Sequence, residues 1–141
     1  MDRIAVLGLD IGLKRIGVAG CDGLGLLARE LTTVNRTSFV NDVEAFRQLV
    51  KEREATLLVA GIPYTMNGEI GFQGKQVIKY AKRLSKALNL PLEFVDERLT
   101  SLEAEEQLRA SKRYSSYDKG SIDRRAATII LQQWLDARIN N

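Results

Sequence analysis

Three acidic residues stand where a carboxylate is unusual enough to suggest chemistry. Asp10 comes near the end of an apolar run, residues 4–12, which predicts a buried central strand. Glu97 follows a second short apolar segment, and Asp123 precedes the apolar stripe of a predicted helix. A buried carboxylate costs several kcal/mol unless cations or hydrogen-bond donors compensate it. Three such acids from distant parts of one small chain predict a site for a divalent metal ion.

The position of Asp123 gives the sharpest argument. It lies three, four, seven, eight and eleven residues before an apolar series, Ala126, Ala127, Ile130, Leu131 and Trp134. Those spacings place it at the N-terminal end of a buried helix face. An acid there also gains about 0.3–1 kcal/mol from the helix dipole, so a purely structural role is the alternative.

Each of the other two acids has an alternative as well. Asp10 fits moderately well as a turn residue whose side chain caps the hairpin at Gly12 to Lys14. Glu97 at a strand end resembles an ordinary solvated acid, and Asp96 beside it competes for the same role. The sequence does not separate Asp96 from Glu97.

Composition excludes several kinds of site. The 141 residues form one domain, and they contain no histidine, which removes Ser-His-Asp and Cys-His catalysis and most zinc sites. Carboxylates favour Mg²⁺ or Mn²⁺ instead. Cys21 is the only cysteine, so no internal disulfide forms, and we expect a cytoplasmic protein. No uncharged apolar stretch is long enough to predict a membrane span.

The net charge of +3 is unevenly distributed along the chain. Six basic residues lie close together near Asp123: Arg109, Lys112, Arg113, Lys119, Arg124 and Arg125. Lys14 and Arg15 directly follow the Asp10 strand. Basic residues beside candidate metal ligands are what a protein that binds a phosphate backbone requires, so we expect a nucleic-acid partner.

The elements that must position these residues follow from hydrophobic periodicity. Strands are predicted at 3–11, 15–19 and 26–33, then a helix at 39–53, a strand at 56–60, a helix to about 89 and a strand at 92–95. Thr100 and Glu103 form a capping box for a further helix, and Ser121 is predicted to cap the last one. Three antiparallel strands followed by two parallel ones give a five-stranded mixed α/β sheet flanked by helices.

Four segments together resemble the YqgF family, also called RuvX. They are residues 7–19 (LGLDIGLKRIGVA), Gly61-Ile62-Pro63 with Asn67-Gly68, residues 95–100 (VDERLT) and residues 119–132 (KGSIDRRAATIILQ). The resemblance covers residues 4 to 136 and implies a ribonuclease H-like nuclease of the bacterial cytoplasm. It assigns Asp10, Glu97 and Asp123 as catalytic, metal-binding acids. Together with the charge pattern it gives a nucleic-acid-binding set: Lys14, Arg15, Arg98, Lys112, Arg113, Lys119 and Arg124.

Three functions are consistent with this resemblance. The first is metal-dependent cleavage at the 5′ end of the small-subunit ribosomal RNA precursor. The second is resolution of Holliday junctions in branched DNA, for which a homodimer is expected because two strands are cut symmetrically. The third is a non-catalytic RNA-binding role in ribosome assembly. An actin-like ATPase shares the Gly8-x-Asp10-x-Gly12 pattern but needs two domains, and 141 residues are too few.

Overall fold

The computed structural model describes residues 3–65, 67–97 and 119–139. Those residues form five strands, which are β1 (Val6–Ile11), β2 (Arg15–Cys21), β3 (Ala28–Asn35), β4 (Leu57–Ile62) and β5 (Leu92–Asp96). The helices in the same ranges are α1 (Phe39–Arg53), α2 (Phe72–Leu88) and, as numbered here, α3 (Lys119–Ile139). The predicted helix after Thr100 lies outside the described residues.

The strands join in one sheet in the order β3-β2-β1-β4-β5. β1 pairs antiparallel with β2, and β2 with β3, whereas β4 is parallel to both β1 and β5. This is the predicted mixed sheet, because a right-handed crossover through α1 returns the chain beside β1. The parallel strands β1, β4 and β5 therefore end at one edge, where parallel α/β sheets commonly build their sites.

The two faces of the sheet carry separate apolar cores. On one face, Leu7, Leu9 and Ile11 pack with residues of α1 and α2. On the other face, alternate strand residues such as Val6 pack against Leu131 and its apolar neighbours on α3. Because successive strand residues point to opposite faces, Asp10 belongs to the α3 face.

Glycines in the strands allow α3 to lie very close to the sheet. A Cβ atom added to Gly17 would come 2.0 Å from the backbone oxygen of Asp123, and one added to Gly8 would come 2.7 Å from Leu131 Cβ. Any side chain at Gly17 would therefore push α3 away. The close packing places the backbone of Asp123 directly over β2, beside the strand that carries Asp10.

Several element boundaries differ from those that the sequence predicts. Ser38 does cap α1, accepting a hydrogen bond from Asn41 N at 3.2 Å. Ser121, by contrast, lies inside α3, which already includes Lys119, so the predicted cap is wrong. Gly61 lies within β4 instead of ending it. No helix among the described residues is long and apolar enough to span a membrane.

Candidate active site

Asp10 and Glu97 meet at the edge where the parallel strands end. Asp10 lies in β1, and Glu97 directly follows β5, where its backbone N–H donates to the carbonyl of Ile62 at 3.0 Å. β4 lies between their two strands, and its Gly61 leaves the room that the Glu97 side chain needs. A Cβ added to Gly61 would come 2.6 Å from Glu97 Oε2.

The carboxyl groups of Asp10 and Glu97 lie close enough to form a hydrogen bond that shifts the pKa of each. Burial raises the pKa of Asp10 well above its usual range, and the Glu97 charge, this hydrogen bond and the Asp123 charge raise it further. Burial also raises the pKa of Glu97, the hydrogen bond from Asp10 opposes that rise, and the charge of Asp96 adds to it. The Asp10 carboxyl group therefore holds its proton more tightly than a solvated aspartic acid does.

No cation within the described residues compensates this acidic pair. Glu97 Oε2 is buried and has no hydrogen-bond partner among them. Asp10 likewise forms no ion pair with a basic side chain of residues 3–65, 67–97 and 119–139. Two half-buried carboxyl groups with one unsatisfied, buried oxygen are the donor set that a hard divalent cation prefers.

Asp123 approaches the same edge from α3 but has a partner of its own. Its Oδ2 accepts a hydrogen bond of 3.0 Å from Arg15 Nε, and both side chains are largely shielded from solvent. Its charge still reaches Asp10, whose pKa it raises. Within the described ranges, no three acidic, His or Cys side chains are placed to hold one metal ion. The donor set that fits a metal is therefore the pair Asp10 and Glu97, with Asp123 held by Arg15.

A basic groove lies on the Asp123 side of this edge. It has a volume of about 460 Å³ and is lined by β2, β3 and the start of α3. Arg15, Lys119 and Arg124 contribute its positive charge, and its lining contains no acid. Arg124 is held in place by Thr33 Oγ1 and Ser121 Oγ, each at 2.9 Å, and by the Glu30 carboxylate at 3.5 Å.

The remaining predicted site residues divide into two groups. Lys14 is exposed in the turn between β1 and β2, at the same end of the sheet. Arg98, Lys112 and Arg113 lie outside the described residues. Asp96 is exposed at the end of β5, whereas Glu97 is half-buried, and the structure brings Glu97 to Asp10.

Two features of the site were missed from the sequence. The first is the role of Gly17 and Gly61, although a glycine inside a strand is itself a sign of close packing. The second is the contact between Arg15 and Asp123, which are 108 positions apart. No local pattern predicts a pairing at that separation.

The family comparison decides the class of protein. The family described as "RuvX: Holliday junction resolvase" matches residues 4–137. The chain belongs to the RuvX family. As a RuvX member it is a nuclease, a hydrolase of phosphodiester bonds that acts on nucleic acid, and the predicted family is confirmed.

Curated relatives of this RuvX chain are very similar over its whole length. A protein of Rippkaea orientalis, named "Putative pre-16S rRNA nuclease", is 67% identical over 138 residues, which is 98% of this chain and 99% of that protein. A protein of the same name from Synechocystis sp. is 62% identical over 136 residues, 96% of this chain and 90% of that protein.

Solved structures confirm the ribonuclease H-like fold. RuvC of T. thermophilus, in a complex with a Holliday junction substrate, superposes with a TM-score of 0.59 at 13% identity, over 98% of this chain and 97% of RuvC. The fowlpox virus resolvase, in a complex with Holliday junction DNA, gives a TM-score of 0.59 at 10% identity, over 96% and 99% of the two chains. At these identities the likeness concerns the fold alone.

Proposed function

We propose that this RuvX protein cleaves phosphodiester bonds in the precursor of 16S ribosomal RNA, in the cytoplasm, with the help of Mg²⁺ or Mn²⁺. The names of its close relatives support the choice of substrate. The observation that carries the chemistry is the half-buried pair of Asp10 and Glu97, which the described residues leave without a compensating cation. A shielded acid pair that lacks a compensating cation is unfavourable, so the pair supports a bound metal cation as its partner at this site.

Asp10 and Glu97 are the residues that would hold the metal. When bound, such a cation activates the attacking water and neutralises charge that develops on the phosphate. Gly61 and the sheet edge keep both carboxylates in a shielded place where this electrostatic effect is strong. Arg15 holds Asp123 beside the pair and adds a positive charge where a phosphate would lie.

The backbone of the nucleic acid would follow the basic groove. Arg15, Lys119 and Arg124 line it, and Lys14 lies at the same end of the sheet. We extend this binding set to Arg98, Lys112 and Arg113 on sequence grounds alone. Phosphate contacts of this kind position the substrate without reading its sequence.

The family description favours a second candidate substrate, the four-way DNA junction. Resolution of a junction requires two cuts, so that function would come with a homodimer. A third role is RNA binding in ribosome assembly without cleavage. Substitution of the metal-binding acids distinguishes it from both nucleases, because those substitutions abolish a nuclease function and leave RNA binding unchanged.

The test is a cleavage assay with Mg²⁺ and with Mn²⁺. Precursor rRNA fragments, single-stranded RNA and four-way DNA junctions are offered side by side to wild type, Asp10→Asn, Glu97→Gln and Asp96→Asn. We expect cleavage of precursor RNA by wild type and by Asp96→Asn, which changes an exposed acid next to the site. Asp10→Asn and Glu97→Gln should each lose about a thousandfold or more in rate, since several kcal/mol of transition-state stabilisation depend on the metal.

Three results would contradict parts of this proposal. If wild type cleaves the four-way DNA junction in preference to precursor rRNA, branched DNA is the substrate and the rRNA assignment is wrong. Equal losses of cleavage rate in Asp96→Asn and Glu97→Gln would contradict the assignment of Glu97 as a metal ligand. Binding of RNA without cleavage under any condition, together with full support of cell growth by Asp10→Asn, would establish the assembly role.

A further inference from the structure

A second cavity lies on the opposite face of the sheet from the acidic pair. This α2 cleft has a volume of about 480 Å³ and lies between the start of α2, Arg36 and the turn after β1. Ile11 and Gly12, the two residues after Asp10, form part of its wall. At the rise of a strand they lie only about 3–7 Å along the chain from Asp10. The cleft therefore opens at the sheet end that carries the candidate active site.

The charge of the α2 cleft is entirely positive. Arg36, Lys79 and Arg83 line it, and no acidic side chain does. Arg36 is fixed by a hydrogen bond of 2.6 Å that it donates to the carbonyl of Gly12, by stacking over the Tyr80 ring at 4.1 Å and by an ion pair with Asp42 at 4.0 Å. Lys79 is exposed and forms no ion pair with any described residue. Arg83 likewise forms no ion pair with a described residue, so Lys79 and Arg83 are the two cations that an anionic ligand would meet.

Apolar surface borders the same cleft. Phe72, the first residue of α2, is 78% exposed, and Leu13 in the turn opposite is 74% exposed. Both side chains border one cationic cavity, so the cleft offers apolar and cationic groups to the same ligand. A planar aromatic ring beside cations is the combination that binds an unpaired base and its phosphate.

We propose that the α2 cleft is a subsite for one unpaired nucleotide of the substrate strand. Its base stacks on Phe72 and its phosphate is bound by Lys79. The inference rests on the proposed nuclease function. It adds the path that the substrate strand takes beyond the scissile bond. The strand runs from the basic groove past Asp10, crosses the turn at Gly12 and Leu13, and enters the cleft. An acidic peptide is the competing occupant, but only a nucleotide explains why the cleft adjoins the acidic pair.

The test uses the full chain in EDTA, so that binding is measured without cleavage. The probe is a short labelled single-stranded RNA in which one abasic ribose is moved along the strand. We expect one position where the missing base lowers the affinity of wild type by about 5- to 150-fold. Phe72→Ala should lower the affinity for intact RNA by a similar factor and abolish the abasic effect at that position. Phe72→Trp should restore both.

Matched control variants separate this subsite from general effects. Val40→Ala changes a residue that is 72% exposed on α1, outside the cleft, and should bind like wild type. The logarithm of the RNA association constant falls linearly with the logarithm of the salt concentration. In Lys79→Gln the slope of this line should be less negative by about 0.7. Lys82→Gln removes a charge from the same helix outside the cleft lining and should leave that slope close to its wild-type value.

The outcomes distinguish this inference from the proposed function. If Phe72→Ala binds like Val40→Ala and no abasic position depends on Phe72, the subsite is wrong, while cleavage by wild type still supports the nuclease. If Phe72→Ala loses affinity for a poly-glutamate peptide but not for RNA, the cleft is a peptide site. If wild type binds no RNA, an NMR titration with adenosine 5′-monophosphate decides: shifts confined to Phe72, Lys79 and their neighbours support the cleft, and their absence overturns it.

Discussion

Two acids that are shielded from solvent on opposite faces of the sheet, one buried and one half-buried, have opposite environments. Asp42 on α1 is only 3% exposed, and its carboxylate accepts hydrogen bonds from the Tyr80 hydroxyl at 2.9 Å and from Thr37 N at 3.1 Å. Arg36 lies 4.0 Å away and supplies a positive charge. Asp10 is shielded as well, but its side-chain partner is another acid, Glu97.

This comparison shows that burial alone does not mark a functional carboxylate. The chain supplies every group that Asp42 needs, so that acid stabilises the junction of α1, α2 and the end of β3. For Asp10 the described residues supply no cation, and the cost of burial remains. Such an unfavourable free energy of burial is typical of functional sites, where a bound ligand offsets it.

The largest effect on stability should come from the compensated acid. Asp42→Ala leaves the Tyr80 hydroxyl and the Thr37 N–H without their acceptor, so we expect a loss of about 3 kcal/mol in the free energy of unfolding. Urea denaturation measures it. Glu44→Ala, which removes an exposed acid from the same helix, should cost no more than about 1 kcal/mol. An equally small loss of unfolding free energy in Asp42→Ala would contradict the stabilising role of Asp42.

Metal ions should stabilise only the uncompensated site. At a concentration one hundred times the dissociation constant, Mg²⁺ or Mn²⁺ should raise the free energy of unfolding of wild type by about 2.7 kcal/mol. Asp10→Asn should lose most of this gain, and Asp42→Asn should keep it. The measurement is urea denaturation across a Mn²⁺ titration. An equal gain in wild type and Asp10→Asn would show that the cation binds elsewhere.

Without metal, Asp10→Asn should be at least as stable as wild type. The substitution removes an acid whose ionisation is disfavoured by burial and by the charges of Glu97 and Asp123, so we expect a gain of about 0.5–2 kcal/mol near neutral pH in EDTA. Denaturant midpoints of the two proteins give the difference. If the variant instead lost several kcal/mol, Asp10 would be a turn-capping residue, the alternative raised by its sequence context.

The pH dependence of stability should have a definite sign. The pKa of Asp10 is raised on folding, so the folded state holds its proton more tightly than the unfolded chain does. The stability contributed by this group is therefore full below the unfolded pKa, near 3.8, and is lost as the pH rises through the raised folded pKa. Unfolding free energies in EDTA between about pH 4 and pH 8 should fall more in wild type than in Asp10→Asn. If the unfolding free energies of wild type and Asp10→Asn changed equally with pH, the raised pKa of Asp10 would be contradicted.

The smallest effect should come from the ion pair between Arg15 and Asp123. Both partners are partly exposed, so Arg15→Gln should cost no more than about 1 kcal/mol. A double-mutant cycle with Asp123→Asn isolates the coupling between the two side chains. A coupling of zero would show that Asp123, like Asp10, is uncompensated in solution.

Much of the fold was predictable from local patterns. Period-two and period-3.6 spacing of apolar residues placed the strands and helices that the structure describes, and α1 matches its predicted bounds, 39–53. The handedness of crossovers then set the strand order. Errors occurred at ends, as with Ser121, because helix boundaries depend on contacts such as Thr33 Oγ1 to the Gly120 carbonyl, 87 positions apart.

For the candidate site, the sequence by itself determined which acids were worth considering and that a metal of the Mg²⁺ class suits them. Only the tertiary structure decided between Asp96 and Glu97, because adjacent residues at a strand end point to opposite faces and a shift of one position exchanges them. The tertiary structure alone also paired Arg15 with Asp123 and enclosed Asp42 with Tyr80. Whether a buried acid is compensated depends on groups far away in the chain, and no local spacing encodes that.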